Sequence, residues 1–315
     1  MSILKFREDG TFKIVQFTDV HMKSGGEKDE STLALMGKIL DAEQPDLVFF
    51  TGDVIEESSC DDPLYRFDLA VSLVDNRQIP WSVVFGNHDT EGTLPRAELM
   101  DKALSYSHSL AQAGPTDMNG VGNYALEVIG RTGQPSALLY ALDSGNRSTI
   151  SHVPGYGWIA RDQIQWYETQ SAAYTSQNGG IPLPALAFFH IPLPEYHLVW
   201  EQELCYGHKY EDVCCPRINT GLFAALVEQG DVMGTFAGHD HLNDYWGTLH
   251  GIRLCYGRAT GYNTYGRDDF PRGARVIQLQ EGERQFDSWL RLADGSVVHE
   301  QPEHDPSAIK ETLAL

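Results

Sequence analysis

The chain has 315 residues, 42% of them apolar, and a formal charge of −21 at pH 7. That is enough apolar material for one large α/β domain or two smaller ones. An acidic surface repels the phosphate backbone of long nucleic acids and anionic membranes. Small phosphorylated molecules stay admissible only where a local positive centre overrides the global field.

The opening stretch MSILKFREDGTFKIVQF is charged and lacks the apolar core of a signal peptide. No run approaches about 18 continuous apolar residues, so neither a membrane span nor a membrane partner is expected, and a cytoplasmic setting is. The five cysteines (Cys60, Cys205, Cys214, Cys215, Cys255) are odd in number and sparse, which fits a reducing compartment better than a disulfide scaffold.

In chain order, three short apolar runs read as buried strands: KIVQFTD at 13–19, DLVFFTGD at 46–53 and WSVVFGNHD at 81–89. Helical spacing between them, at 30–44 and 63–78, makes a β-α-β-α-β order and hence parallel strands. Residues 123–129 and 137–143 read as paired antiparallel strands, followed by a helix at 160–177, a strand at 185–190, a helix at 220–229 and a strand at 233–240. Segments 251–257, 274–280 and 288–294 close the set. The stretches 144–158, 192–218 and 258–273 read as irregular, and loops this long usually cover a site. With no fixed repeat and no Pro/Ser-rich linker, residues 1–315 are expected to form a single domain. Its core would span about 11–285, with a C-terminal strand and tail at 286–315.

Nearly every core strand ends in a potential metal ligand: Asp19 and His21, Asp53, Asn87, His190, then His239 and His241. In parallel α/β sheets such ends gather at one rim, where ligands bind. Each piece alone has an ordinary explanation as a turn or cap. Together they are costly to bury unless paired or metal-bound. Oxygen donors mixed with imidazoles and no thiolate suit Mn, Fe or Zn. Seven such groups exceed what one tetrahedral ion uses and match two divalent ions sharing a bridge.

The ordered pattern D-x-H, G-D, G-N-H-D/E, H, G-H-x-H resembles that of the calcineurin-like metallophosphoesterases. FGNHDTEGTLPR, GYGWI, FFHIPLPEY and GHDHLNDYWGTLHGIRLCYG are similar to the non-purple branch of the purple acid phosphatase-like proteins. The resemblance implies a four-layer α/β/β/α sandwich of two mixed sheets flanked by helices. It implies that Asp19, His21 and His241 hold a first metal, that Asn87, His190 and His239 hold a second, and that Asp53 bridges them. Gly238 would then give the backbone room to turn between strand and ligands. His88 would stabilise the phosphoryl oxygen or protonate the leaving group. Purple acid phosphatases carry a tyrosine ligand at the position of Glu56, so no purple colour is expected. By analogy with related protein phosphatases, Glu56 is assigned to orienting His88.

The activity so implied is dinuclear metal-dependent hydrolysis of phosphate monoesters, by in-line attack of a metal-bridging hydroxide, on a small phosphorylated substrate or a phosphoprotein. The alternatives are a phosphodiesterase for cyclic nucleotides or other small diesters, and a non-catalytic binding module on the same fold. Arg96 is a candidate phosphate contact or else a helix-surface charge. Tyr262 and Tyr265 are candidate pocket residues or else ordinary loop packing. The acidic run Glu56, Glu57, Asp61, Asp62 reads as a solvated loop. Cys205, His208, Cys214 and Cys215 read either as a separate zinc site or, more simply, as buried or redox-sensitive thiols.

Overall fold

The structure, a computed structural model, describes residues 3–307; the last eight residues of the expected tail lie outside them. One sheet has six strands. At its centre are β1 (Thr11–Phe17), β2 (Leu47–Thr51) and β3 (Trp81–Val84), mutually parallel as expected. The second sheet has eight strands. Its parallel heart is β5 (Pro135–Ala141), β6 (Ala185–Phe188), β8 (Val232–Ala237) and β10 (Ile252–Tyr256), with β4 (Tyr124–Ile129), β7 (Cys205–Tyr206) and β9 (Trp246–Leu249) added antiparallel. The remaining strands are β11 (Gly273–Gln280), β12 (Phe286–Leu292) and β13 (Val297–Val298), which extend the first sheet beyond β1. β14 (Glu303–His304) caps the second beside β7.

The continuous apolar runs become strands buried on both faces. Every residue of β2, β3, β6 and β8 is buried, because a neighbouring sheet lies on one side and helices on the other. β4 lies at an edge and alternates between buried and solvent-facing positions. The sheets meet through large aromatics: Phe49 of β2 stacks on Phe188 of β6 with ring centroids 4.0 Å apart, and Phe236 of β8 meets Phe286 of β12 at 5.5 Å.

Helices α1 (Glu27–Glu43), α2 (Pro63–Asp75) and α3 (Arg96–Leu104) belong to the first sheet's side, whereas α4 (Arg161–Gln177), α5 (Glu195–Gln202) and α6 (Leu222–Gln229) belong to the second's. The result is the four-layer α/β/β/α sandwich. Among the described residues no helix is long and apolar enough to cross a membrane.

Two helices depart from the sequence reading. α5 lies within 192–218, where Pro192 and Pro194 mask a short amphipathic turn that buries Tyr196 and Val199. α3 follows Pro95, which supplies its N-cap, and buries Leu99, Met100 and Ala103. Short helices with one narrow apolar stripe give weak periodic signals.

The stacked aromatic pair makes the shared core testable. Phe49→Ala should lower unfolding free energy by about 3–5 kcal/mol in urea denaturation, and a loss below about 1 kcal/mol would mean that the two sheets do not depend on this contact.

Candidate metal centre

The parallel strands of both sheets deliver their carboxyl ends to one rim, and backbone hydrogen bonds lock the ends together. Asp19 N–H donates to Gly52 O (3.1 Å) and His21 N–H to Asp53 O (2.9 Å) within the first sheet. Gly238 N–H donates to His190 O (3.0 Å) within the second. Between the sheets, His239 N–H reaches the Asp19 carboxylate (3.1 Å), and His190 Nδ1 lies 2.8 Å from Thr51 O. The chain bends sharply to do this. Asp19, His21, Asp53 and His239 all adopt left-handed backbone, at φ 52°, 48°, 50° and 77°. Such conformations cost non-glycine residues roughly 1–2 kcal/mol each and persist where the surroundings over-determine them.

Gly238 itself is not left-handed. Its requirement is space, since a Cβ there would stand 1.9 Å from Thr18 Oγ1. Gly86 is similarly confined, with Asp53 Oδ1 at 2.1 Å from a built Cβ.

The side chains converge in two groups that share Asp53. Asp19, His21, Asp53 and His241 can present one ligand atom each within 4.8 Å of one another, and so can Asp53, His190 and His239. Asp53 Oδ2 lies 3.4 Å from His21 Nε2 and 3.1 Å from His190 Nε2, while its Oδ1 accepts the His88 N–H at 2.8 Å. Asn87, the neighbour of His88, is buried as well. The residues fit metal ions on a direct test. Asp53 Oδ2, Asn87 Oδ1, His21 Nε2, His239 Nε2 and His241 Nδ1 are all buried with no hydrogen-bond partner. Orphaned acceptors in such number are otherwise expensive. The ring orientations agree: His190 is anchored through Nδ1 on Thr51 O and His21 through Nδ1 on Glu56 Oε2 (3.1 Å), so each turns its Nε2 toward Asp53.

Electrostatics show the same frustration. Burial opposes ionisation of Asp19, yet contact with His241 outweighs it and holds the carboxyl at about 2. Burial likewise opposes charging His21 and His190, but Asp53, joined at His21 by Glu56, lifts them to about 10 and about 9. His239 falls to about 3 through burial and the neighbouring His190 charge. Protons on His21 and His190 thus balance the carboxylates, and divalent cations would displace them on binding.

Several expected roles are corrected. Glu56 does not meet His88. It accepts from His21 Nδ1, from Lys23 Nζ at 2.7 Å and from Ser59 Oγ at 2.7 Å, because the turn after β2 aims it at the first ligand group. His88 instead has Glu91 beside it, with Oε2 2.7 Å from Nδ1. Arg96 is neither phosphate contact nor surface charge: it donates to Phe85 O, Gly86 O, Gly145 O and Asp143, bracing the third strand end from behind. Tyr262 packs against the core near α1, its backbone N–H on Thr32 Oγ1. Tyr265 is the tyrosine that reaches the site, its ring 4.3 Å from that of His241.

Glu57, read as solvated, is buried and accepts from the backbone N–H groups of Gly92, Thr93 and Leu94. Among the described residues the cysteine loop forms no metal-holding group. The Cys205 thiol donates to Val199 O and that of Cys214 to Asp212 O. Tyr156, whose ring edges onto that of His239 at 4.3 Å, stands in the GYGWI stretch that carries the family resemblance, which gave this tyrosine no role of its own.

Residues 12–243 match the profile of the calcineurin-like phosphoesterases. The chain belongs to that family. It is 36% identical to a "Probable inactive purple acid phosphatase 28" of Arabidopsis thaliana, over 92% of this chain and 83% of that one. It is 34% identical to "Phosphatase DCR2" of Saccharomyces cerevisiae, over 92% of this chain and 55% of that one. Among solved structures, a dimetal phosphatase from Danio rerio shares the fold with a TM-score of 0.59 at 15% identity, covering 88% of this chain and 98% of that one. A purple acid phosphatase from yellow lupin seeds does so at 0.55 and 13%, covering 94% and 54%. The chain is a phosphoric ester hydrolase of this family, and its buried Asp and His clusters suit two metal ions.

The hold of Glu56 on His21 gives a test within this phosphoesterase. Glu56→Gln should weaken metal binding about 10- to 100-fold in calorimetric titration; unchanged affinity would mean that His21 needs no such support.

Proposed function

We propose that this phosphoesterase hydrolyses phosphate monoesters at a dinuclear metal centre. The observation that carries the reading is the sharing of one buried carboxylate, Asp53, by both ligand groups. Asp19, His21 and His241 would hold one cation and Asn87, His190 and His239 the other, with Asp53 between. When bound, the cations supply Lewis acidity toward phosphoryl oxygens and lower the pKa of the attacking water. Mn, Fe and Zn all accept this donor set.

His88 stands apart from both groups. Its side chain is 31% exposed at the rim, and its ring lies 5.0 Å from that of His21. It would donate a proton to the leaving oxygen, a role its exposed position at the rim supports. Glu91, itself held by a hydrogen bond from Ser58 Oγ at 2.6 Å, brings Oε2 to within 2.7 Å of His88 Nδ1, close but not aligned as a hydrogen bond, and would act as a positioning residue.

A second reading, a binding module on the same fold, draws on the word "inactive" in the names of the Arabidopsis relatives. The complete donor set together with His88 favours catalysis. The strongly acidic surface supports small phosphate esters over long nucleic acids. The free state of all five cysteines supports a reducing compartment as the proposed setting.

Chelation should abolish hydrolysis of p-nitrophenyl phosphate and Mn should restore it. The monoester should turn over faster than bis-p-nitrophenyl phosphate or cyclic AMP. Activity confined to the bis-ester would replace the monoesterase reading with a diesterase, and none with any metal would favour the binding module. His88→Ala should lower kcat about 10²- to 10⁴-fold. Glu91→Gln should slow alkyl phosphates, whose leaving groups need a proton, about tenfold more than p-nitrophenyl phosphate; equal slowing of both would remove the positioning role.

A further inference from the structure

The long loop after β5 has no part in the ligand set, yet it is built firmly against it. Ser144 Oγ accepts the Ile191 N–H at 2.9 Å, next to His190. Asn146 Nδ2 donates to Thr90 O at 2.9 Å, in the short turn that begins with His88. From these two anchors the chain runs out and returns as a hairpin. Ser148 N–H donates to Gly155 O and Gly157 N–H to Asn146 O, and Arg147 bridges Tyr156 antiparallel. Tyr156 thereby rests its ring edge on His239, and the Arg147 guanidinium lies over Tyr156, 4.9 Å from its centroid. Arg217, from the loop before α6, comes to the same turn. Its Nε lies 4.0 Å from where a Cβ on Gly155 would stand.

Both arginines are exposed, and neither has a carboxylate partner among the described residues. In a chain of net charge −21 that is uneconomical placement for two cations. Of the other cations near the site, Lys23 is paired with Glu56, Arg96 is held by backbone carbonyls, and Arg272 is buried, donating Nη2 to Thr264 O and Tyr265 O and leaving Nη1 unpartnered. Beside Arg147 opens a cavity of about 250 Å³, whose lining includes Asn119, Asn146, Ser148 and Thr149 together with Trp158 and the Arg96-paired Asp143, while Arg217 stands outside it. The cavity is too small for a drug-sized ligand and suits a short polar arm.

We propose that Arg147 and Arg217 form an anion subsite beside the Asn87, His190 and His239 group, and that the substrate is a small phosphate ester bearing a second anionic group, phosphate or carboxylate. The proposal rests on the dinuclear reading, because it takes the scissile phosphate to sit at Asp53. Guanidinium groups suit this part, presenting planar donor pairs to either anion and staying charged at all working pH. Tyr156 links the subsite to His239 mechanically, so the distal anion and the ligand group share one support.

The test compares kcat/KM for 1,3-propanediol bisphosphate, 3-phosphooxypropanoate and propyl phosphate, in the full chain with Mn and in Arg147→Gln/Arg217→Gln. The full chain should favour at least one doubly anionic ester over propyl phosphate by about tenfold or more, mainly through KM. The double variant should erase that ratio. A preference for the bisphosphate alone assigns the subsite to phosphate, and one for 3-phosphooxypropanoate alone assigns it to carboxylate. A full chain without preference, or a preference that survives in the double variant, overturns the proposal. Calorimetric titration of both proteins with 1,3-propanediol bisphosphate reads the same contact without turnover. Arginine-dependent binding with no hydrolysis of p-nitrophenyl phosphate would sink the monoesterase reading and leave the subsite standing, whereas binding independent of the arginines sinks the subsite.

Discussion

Asp53 carries a carboxylate with no accessible surface, pressed between His21 and His190 and accepting the backbone N–H of His88. Burying that charge opposes ionisation, yet the adjoining imidazolium charge keeps the group well below the ordinary aspartate range. The arrangement is only half satisfied, because neither His190 Nε2 at 3.1 Å nor His21 Nε2 at 3.4 Å is aligned to hydrogen-bond Oδ2. Partly satisfied buried polar networks are costly, and cations between the imidazoles and the carboxylates would satisfy this one. The rim is arranged around that need: strand ends from both sheets arrive with acceptors outward, and their backbones are tied to each other across the sheets.

The same demand explains where the backbone is strained. Four of the seven proposed ligands occupy left-handed conformations, while Gly238 and Gly86 are confined by close approach, to Thr18 and to Asp53. Local strain is thus concentrated within a few residues of the strand ends, and the packed aromatic interface between the sheets supplies the rigidity that maintains it. Outside the ligand groups, carboxylates set orientation. Glu56 fixes the His21 tautomer, Glu91 stands against His88, and Asp89 ties Ile55 N–H and Gly86 N–H together beneath Asn87.

What could be read from the sequence, and what could not, follows from reach. The seven ligand candidates were legible because each stands within a few residues of an apolar strand, and a strand's direction fixes where its end goes. The sandwich followed from the family resemblance, and the strand order agrees with it. Glu56 and Arg96 were misassigned because long side chains reach several positions from one backbone site, and only packing chooses among them. Between Tyr262 and Tyr265, three residues apart in one loop, nothing in the sequence selects the one that covers His241. Helix α5 was hidden by its flanking prolines. Arg147 and Tyr156 lie nine residues apart in a loop whose hairpin closure leaves no periodic trace.

The central claim is a pair of cations held in common by one aspartate. Anomalous diffraction from crystals grown with Mn tests it most directly. The account predicts two peaks about 3.5–4 Å apart, one on each side of Asp53, with Asp19, His21 and His241 around one and Asn87, His190 and His239 around the other. A single peak, or two peaks that do not share Asp53, would contradict it.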